Sequence, residues 1–274
     1  MSSSILKSRH KVVVPTRPLR SLADALVPLE QLAKTSESLL AQPLGGFTVD
    51  GQTYTVPRYV FIGPKGGGDP IRLGLFGGIH GDVAAGVHAL SGLLAWLHIN
   101  PELATDYYLF VYPLCNPTGY EDRSQHSRSG KDLDRESWSE SKEPELQLLQ
   151  AELSRQPFHG LVELHAQKNS PEFLGYTSSS TLAQHVLEPA ISAAGHVLGQ
   201  QSHRPANSKL SAGKIVNRTK PYWRLARTKS PAPFEIRLEV PYLVEPQLQQ
   251  EAFTVGLLTF LAEYKIFMAF APNL

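Results

Sequence analysis

The sequence predicts a single α/β domain, with a mostly parallel or mixed sheet between layers of helices. Three observations lead there. Strand-like and helix-like segments alternate through the middle of the chain. No shift in composition marks a second domain. The 274 residues are 42% hydrophobic and 19% charged, an ordinary globular mixture long enough to bury a full core.

The elements follow in order. A basic, Pro-containing lead precedes a helical pattern from about Leu19 to Leu40, with Leu22, Leu26, Leu29 and Leu32 near helical spacing. Thr48 to Pro57 alternates around Asp50-Gly51, the signature of a hairpin turn. Tyr59 to Ile62 is a short strand, and Gly63 to Pro70 is a loop. Residues 1–70 thus form a lead helix and an edge hairpin. Ile71 to Ile79 is apolar enough for a strand covered on both faces. Asp82 to Ile99 is apolar all round, hence a buried helix. Tyr107 to Leu114 is a strand. Asn116 to Ser141 is polar and too long for an ordinary connection, which marks it as functional. A helix over Pro144–Ser154, a strand over Leu161–Leu164 and a helix over Ser180–Leu198 come next. Gly199 to Arg224 is a second long polar stretch. Phe234 to Val240 is a strand, and Pro246 to Phe267 closes the chain as an apolar helix.

Composition excludes several function classes. With 26 basic and 25 acidic residues the net charge is +1, which gives no electrostatic case for nucleic acid or an anionic membrane. Nowhere do about eighteen uncharged apolar residues run together, and the first residues lack a signal-peptide core. A soluble cytoplasmic protein is expected, with no membrane partner. One cysteine, Cys115, rules out a disulfide framework and a Cys-rich zinc site. It reads as a core residue. Any metal must be held by His and carboxylates. Gly63 to Gly68 lacks the Lys-Ser/Thr ending of a phosphate loop, and neither a Gly-x-Ser-x-Gly elbow nor a dinucleotide fingerprint is present.

Ligands of α/β sheets bind at the carboxyl ends of strands. After the strand ending at Ile79 comes His80; after the next comes Asn116-Pro117-Thr118-Gly119; after Leu164 comes His165; near the end of the last lies Glu239. Two His and a Glu at separate strand ends suit a catalytic zinc, with about three protein ligands and one open position. The plainer readings are hydrogen-bonded structural histidines, an ion pair between Glu239 and Arg237, and a simple turn at Asn116.

The blocks GLFGGIHGDVAAG, NPTGYEDRSQHSRSGKDLDRESW, GLVELHAQ and APFEIRLEVP occur in the order seen in the zinc carboxypeptidase family. The resemblance is closest to its short bacterial members and to the succinylglutamate desuccinylase/aspartoacylase branch. It spans Ile71 to the C-terminus and matches the first 70 residues only loosely. It implies one domain with a mixed, roughly eight-stranded sheet and a zinc-dependent hydrolase acting on an amide bond beside a carboxylate. The substrate would be a small peptide or N-acyl amino acid. His80 and His165 match the zinc-binding histidines. Glu239 matches the general base, with Glu235 as the fallback. Asn116, Asp134 and Arg135 fall at the substrate grips, where the family has Asn-Arg in place of Asp134-Arg135. The arginine that polarises the scissile carbonyl aligns with Gln125, which makes Arg123 the candidate for that role and Arg128 its alternative.

The family's ligand glutamate is Val83 here. One ligand is worth roughly 3 kcal/mol, or about a hundredfold in affinity. Asp82 or Glu235 could act as a displaced ligand. With Gln125, Asp134 and Ser137, the latter where the family has an aromatic, the changes gather at the site. They favour a second reading, a catalytically degenerate protein that binds carboxylates or peptides on the same scaffold. The two long polar stretches would set specificity in either case.

Overall fold

The computed structural model describes residues 18–138, 140–169, 171–199, 214–217 and 232–270. Most of the amino-terminal lead and most of Gly199–Arg224 lie outside the described residues. Helix α1 (Leu22–Thr35) is shorter than its leucine pattern suggests. Ser21 caps it by accepting from the Asp24 N–H at 3.0 Å, and the backbone turns extended at Ser36. The remaining leucines enter strand β1 (Leu39–Ala41). The expected hairpin is β2 (Gly46–Val49) and β3 (Gln52–Thr55), with left-handed Asp50 and Gly51 at its turn. It forms its own two-stranded sheet rather than an edge of the main one.

Strand β4 (Tyr59–Ile62) and β5 (Ile71–Phe76) lead into helix α2 (Ala85–Ile99), and β6 (Tyr107–Tyr112) leads into the short helix α3 (Pro117–Asp122). Helix α4 (Pro144–Arg155) and strand β7 (Gly160–Gln167) follow. Strand β8 (Leu174–Thr177) was not expected. One turn of helix, α5 (Ser180–Leu182), runs through a π-type turn (Ala183–Leu187) into α6 (Glu188–Val197). Strands β9 (Lys214–Asn217) and β10 (Phe234–Pro241) precede the final helix α7 (Pro246–Phe270).

The eight strands of the main sheet lie in the order β1-β4-β6-β5-β7-β10-β8-β9. The four central strands, β6, β5, β7 and β10, are parallel. Strands β1, β4 and β8 meet their inner neighbours antiparallel, so the sheet is mixed as expected. After β5 the chain goes to β6 on one side, and β7 later joins on the other. The crevice between the carboxyl ends of β5 and β7 is therefore the topological switch point, where such sheets bind ligands.

Alternation along the strands separates two cores. Leu73, Leu75, Leu109, Val111, Val162, Leu164, Ile236 and Leu238 face one side, under α2, α6 and α7. Phe76, Phe110, Tyr112 and Leu161 face the other, under α4 and the hairpin. The period of two then dictates where charges go. Glu163 and His165 share the face of Leu161, and Arg237 and Glu239 share the same face of β10, being paired in register with them. Four polar side chains thus project from the two central strands under the segment that joins α3 to α4.

Helix α7 is long and apolar enough, by length and composition, to cross a membrane, the one such helix among the described residues. Phe253, Leu257, Phe260 and Leu261 on it are buried in the main core. Its apolar content is explained by packing against α2 and α6.

Candidate metal centre and its surroundings

His80 lies four residues beyond β5 in a turn held from two sides. Arg20 donates to the Gly81 carbonyl at 2.8 Å, with its guanidinium 4.4 Å above the Tyr120 ring. On the other side a Cβ on Gly81 would come within 2.0 Å of the Gly119 carbonyl carbon, so only glycine allows α3 this close. Asn116 ties the same pieces together. Its Nδ2 donates to the Ile79 carbonyl at 3.1 Å, and its Oδ1 caps α3 by accepting from the Gly119 N–H at 2.8 Å. The Asn-Pro-Thr-Gly segment is thus the start of a helix rather than a simple turn.

His80 and His165 meet edge to face with ring centroids 4.4 Å apart. The Nε2 of His80 lies 3.0 Å from Asp132 Oδ1. A carboxylate accepts, so this nitrogen carries the hydrogen, and in the neutral imidazole the lone pair is then on Nδ1. The other Asp132 oxygen accepts from Gln125 Nε2 at 2.9 Å and lies 3.4 Å from Arg135 Nε. Both ring nitrogens of His165 are shielded from solvent and have no hydrogen-bond partner. Burial, reinforced by the Arg237 charge and His80, lowers its pKa to about 3, so the imidazole is neutral. A neutral histidine with an orphaned nitrogen beside a second oriented histidine is the donor chemistry of a metal site. The carboxylate of Asp134 completes the group: one donor atom from each of His80, Asp134 and His165 lies within 4.8 Å of the others. These residues fit a divalent metal ion.

Arg237 binds this group to the sheet. Its Nη1 donates to Asp134 Oδ2 at 3.1 Å and its Nη2 to Asp134 Oδ1. Its Nε donates to Glu163 Oε2 at 2.9 Å, and Nη1 lies 4.0 Å from Glu239 Oε1. Glu163 is 1% exposed, and burial pushes its carboxyl up to about 8 against the opposing pull of Arg237. Burial also disfavours a charge on Asp134, but Arg237 outweighs it and holds that carboxyl below its usual range. Glu239 accepts from the Tyr176 hydroxyl at 3.0 Å through Oε2.

The structure therefore brings together His80, His165, Asp134 and Glu239. Arg135 stands at the rim, 83% exposed. Asn116 is fully buried and acts as a cap and a positioning residue rather than a surface for substrate. The two arginines considered for the carbonyl-polarising role, near the aligned Gln125, point elsewhere. Arg123 ends α3 in the left-handed conformation and donates to the Pro18 carbonyl at 3.0 Å. Arg128 is engaged by Glu121 and Asp122 and lies against Tyr54. Val83 packs half-buried against the apolar core. Of the displaced-ligand candidates, Asp82 lies 3.7 Å from Lys168 through Oδ2, and Glu235 pairs in register with Leu161, four residues before the strand-end Glu239. Neither belongs to the donor group. The residues missed as site components are Arg237, Glu163, Asp132 and Tyr176. For Glu163 and Arg237 the signal was a charged residue at alternate positions of two otherwise apolar strands; Asp132, in a loop, and Tyr176, on the unexpected strand β8, carried none.

No protein-family model matches the chain, and no curated protein matches its sequence. Solved structures do match its fold. A metallo-carboxypeptidase from Burkholderia cenocepacia superposes with a TM-score of 0.68 at 14% identity, covering 91% of this chain and 70% of its own. A metallo-carboxypeptidase from Pseudomonas aeruginosa, in complex with (2-guanidinoethylmercapto)succinic acid, gives 0.66 at 15% identity, covering 90% and 70%. A succinylglutamate desuccinylase/aspartoacylase from Rhodobacter sphaeroides gives 0.56 at 16%, covering 81% and 64%. The chain has the metallocarboxypeptidase fold, as its sequence blocks led us to expect.

Two buried groups make stability depend on pH in opposite senses. Below its ordinary 6.5, His165 binds a proton in the unfolded chain but not in the fold until about pH 3, so its contribution is lost as pH falls through that window. Glu163 keeps its proton in the fold up to about 8 but loses it at 4.5 when unfolded, so its contribution is lost as pH rises. Between about 4.5 and 6.5 the two cancel. Above about 6.5 the contribution of Glu163 falls unopposed by that of His165, with a slope approaching about 1.4 kcal/mol per pH unit in metal-free protein. Urea denaturation of Glu163→Gln between pH 6.5 and 8 checks this: the alkaline fall should flatten, and an unchanged slope would refute the assignment.

Proposed function

We propose that this protein is a metal-dependent hydrolase of an amide bond beside a carboxylate, with a small peptide or N-acyl amino acid as substrate. The observation that carries this reading is His165, whose two shielded ring nitrogens lack partners beside an oriented His80 at the sheet's switch point. His80 and His165, with Asp134, would hold the ion, and zinc suits this donor set. When bound, such an ion polarises a carbonyl and acidifies water.

The chain's own groups supply the rest. Asp132 keeps Nε2 of His80 protonated and turns the ring. Glu239, steadied by Tyr176 through Oε2, takes a proton from water and returns it to the leaving amine. Arg135, exposed at the rim, is placed to receive a substrate carboxylate in a two-point contact.

A second reading is a protein that binds carboxylate-bearing ligands without cleaving them. It is favoured by Val83 and by the engagement of both Asp134 oxygens with Arg237. One experiment separates the two. Purified protein is assayed for zinc content and for hydrolysis of a panel of N-acylated amino acids and short peptides, with and without chelator. The hydrolase reading expects near-stoichiometric metal and a rate abolished by chelation. Binding that is indifferent to chelator, with no turnover, would sustain the second reading and defeat the first.

A further inference from the structure

Val83 leaves two histidines where the resembled family places two histidines and a glutamate. A tetrahedral zinc at about 2.0–2.1 Å from each ligand sets its donors roughly 3.4 Å apart. The Asp134 donor atom already lies within 4.8 Å of those of His80 and His165. Asp134 belongs to the long segment between α3 and α4, where a carboxylate would ordinarily be free to swing.

Here it is fixed from two directions. Its own N–H donates to Asp132 Oδ1 at 3.2 Å, the oxygen that also orients His80. Arg237 grips both of its oxygens from the sheet side. That fork uses one lone pair of each oxygen and leaves another on each for a cation. Arg237 is in turn fixed by Glu163, through Nε at 2.9 Å and Nη2 at 2.8 Å. The Glu163 carboxyl, directly behind the guanidinium, holds it in place by accepting from it and keeps its fork turned towards Asp134.

We infer that Arg237 is a positioning residue that aims Asp134 at the two histidines, so that Asp134 serves as the carboxylate ligand missing at Val83 and Glu163 anchors the guanidinium. This rests on the reading of His80 and His165 as a metal-holding pair. The ligand has moved from the helix-start turn after β5 to the loop above the sheet, and a buried acid–base pair on β7 and β10 has taken over its orientation.

The test reads metal binding rather than turnover. Full-length protein is stripped with chelator and titrated calorimetrically with zinc ions, and its cobalt(II) absorption spectrum is recorded. Asp134→Ala should lose about a hundredfold in zinc affinity. The paired variant Arg237→Met/Glu163→Met, which leaves no orphaned acid at position 163, should lose about 10–100-fold and alter the cobalt spectrum. Adding Val83→Glu to either variant should restore affinity to within about tenfold of wild type. Asp134→Asn keeps the side-chain shape and decides the matter if the paired variant does not fold. Wild-type zinc affinity in Asp134→Ala or Asp134→Asn overturns the inference, as does an unchanged cobalt spectrum in the folded paired variant. If His165→Ala loses zinc while Asp134→Ala retains it, only this inference falls. If wild type binds no zinc, the metal reading falls with it.

Discussion

Glu239→Gln is expected to slow hydrolysis by about two to four orders of magnitude while leaving fold and metal content intact. The amide has nearly the same shape and can still accept from the Tyr176 hydroxyl through its oxygen, but it cannot take a proton from water. Glu239 pairs in register with His165 on β10, so its carboxylate and the imidazole stand side by side on one face of the sheet. Its Oε2 is steadied at 3.0 Å by Tyr176, from the antiparallel neighbour β8. Tyr176→Phe should therefore produce a milder loss, through misorientation rather than loss of the base. The comparison is made by steady-state rates on the best substrate of the panel, with metal content measured on the same samples. A Glu239→Gln protein of normal metal content that turns over at the wild-type rate removes Glu239 from the mechanism.

Much of this site is legible in the sequence. Strand ends announce themselves through apolar runs followed by polar letters, and that rule pointed to the carboxyl ends of β5, β7 and β10, although His80 stands in a turn four residues past β5 and His165 lies within β7 rather than after it. It could not place Asp134, because a loop residue's contacts depend on where the loop returns. Nor could counting along the chain place Arg123. Its left-handed backbone at the end of α3 sends the side chain to Pro18. Handedness at one residue is not visible in a spacing. The alternation Glu163-x-His165 and Arg237-x-Glu239 was in plain sight, but its meaning needed the parallel register that sets Arg237 opposite Glu163. Strand β8 escaped notice because Leu174–Thr177 is four residues long with a glycine inside, and pairing with β10 rather than local preference makes it a strand.

Arg237→Met is expected to cost up to about 3–5 kcal/mol of stability in metal-free protein near pH 8, where Glu163 ionises, the usual penalty for removing one partner of a buried ion pair. Arg237 is 6% exposed and serves two carboxylates at once, those of Asp134 and Glu163. Asp134 retains some contact with solvent, but Glu163 has almost none, so most of the penalty falls on Glu163. That group can relieve it by holding a proton, since burial already favours its neutral form. The cost should accordingly shrink as the solution is made more acidic and grow towards pH 8. Adding Glu163→Met removes the orphaned acid and fills its space with apolar volume. The double variant should recover most of the loss, because replacing both partners of a buried pair is often neutral or stabilising. Urea denaturation of wild type, Arg237→Met and the double variant at pH 5 and pH 8 measures all three effects. A single variant as stable as wild type at pH 8, or a double variant no better than the single, would show that this pair is not what anchors the centre of the sheet.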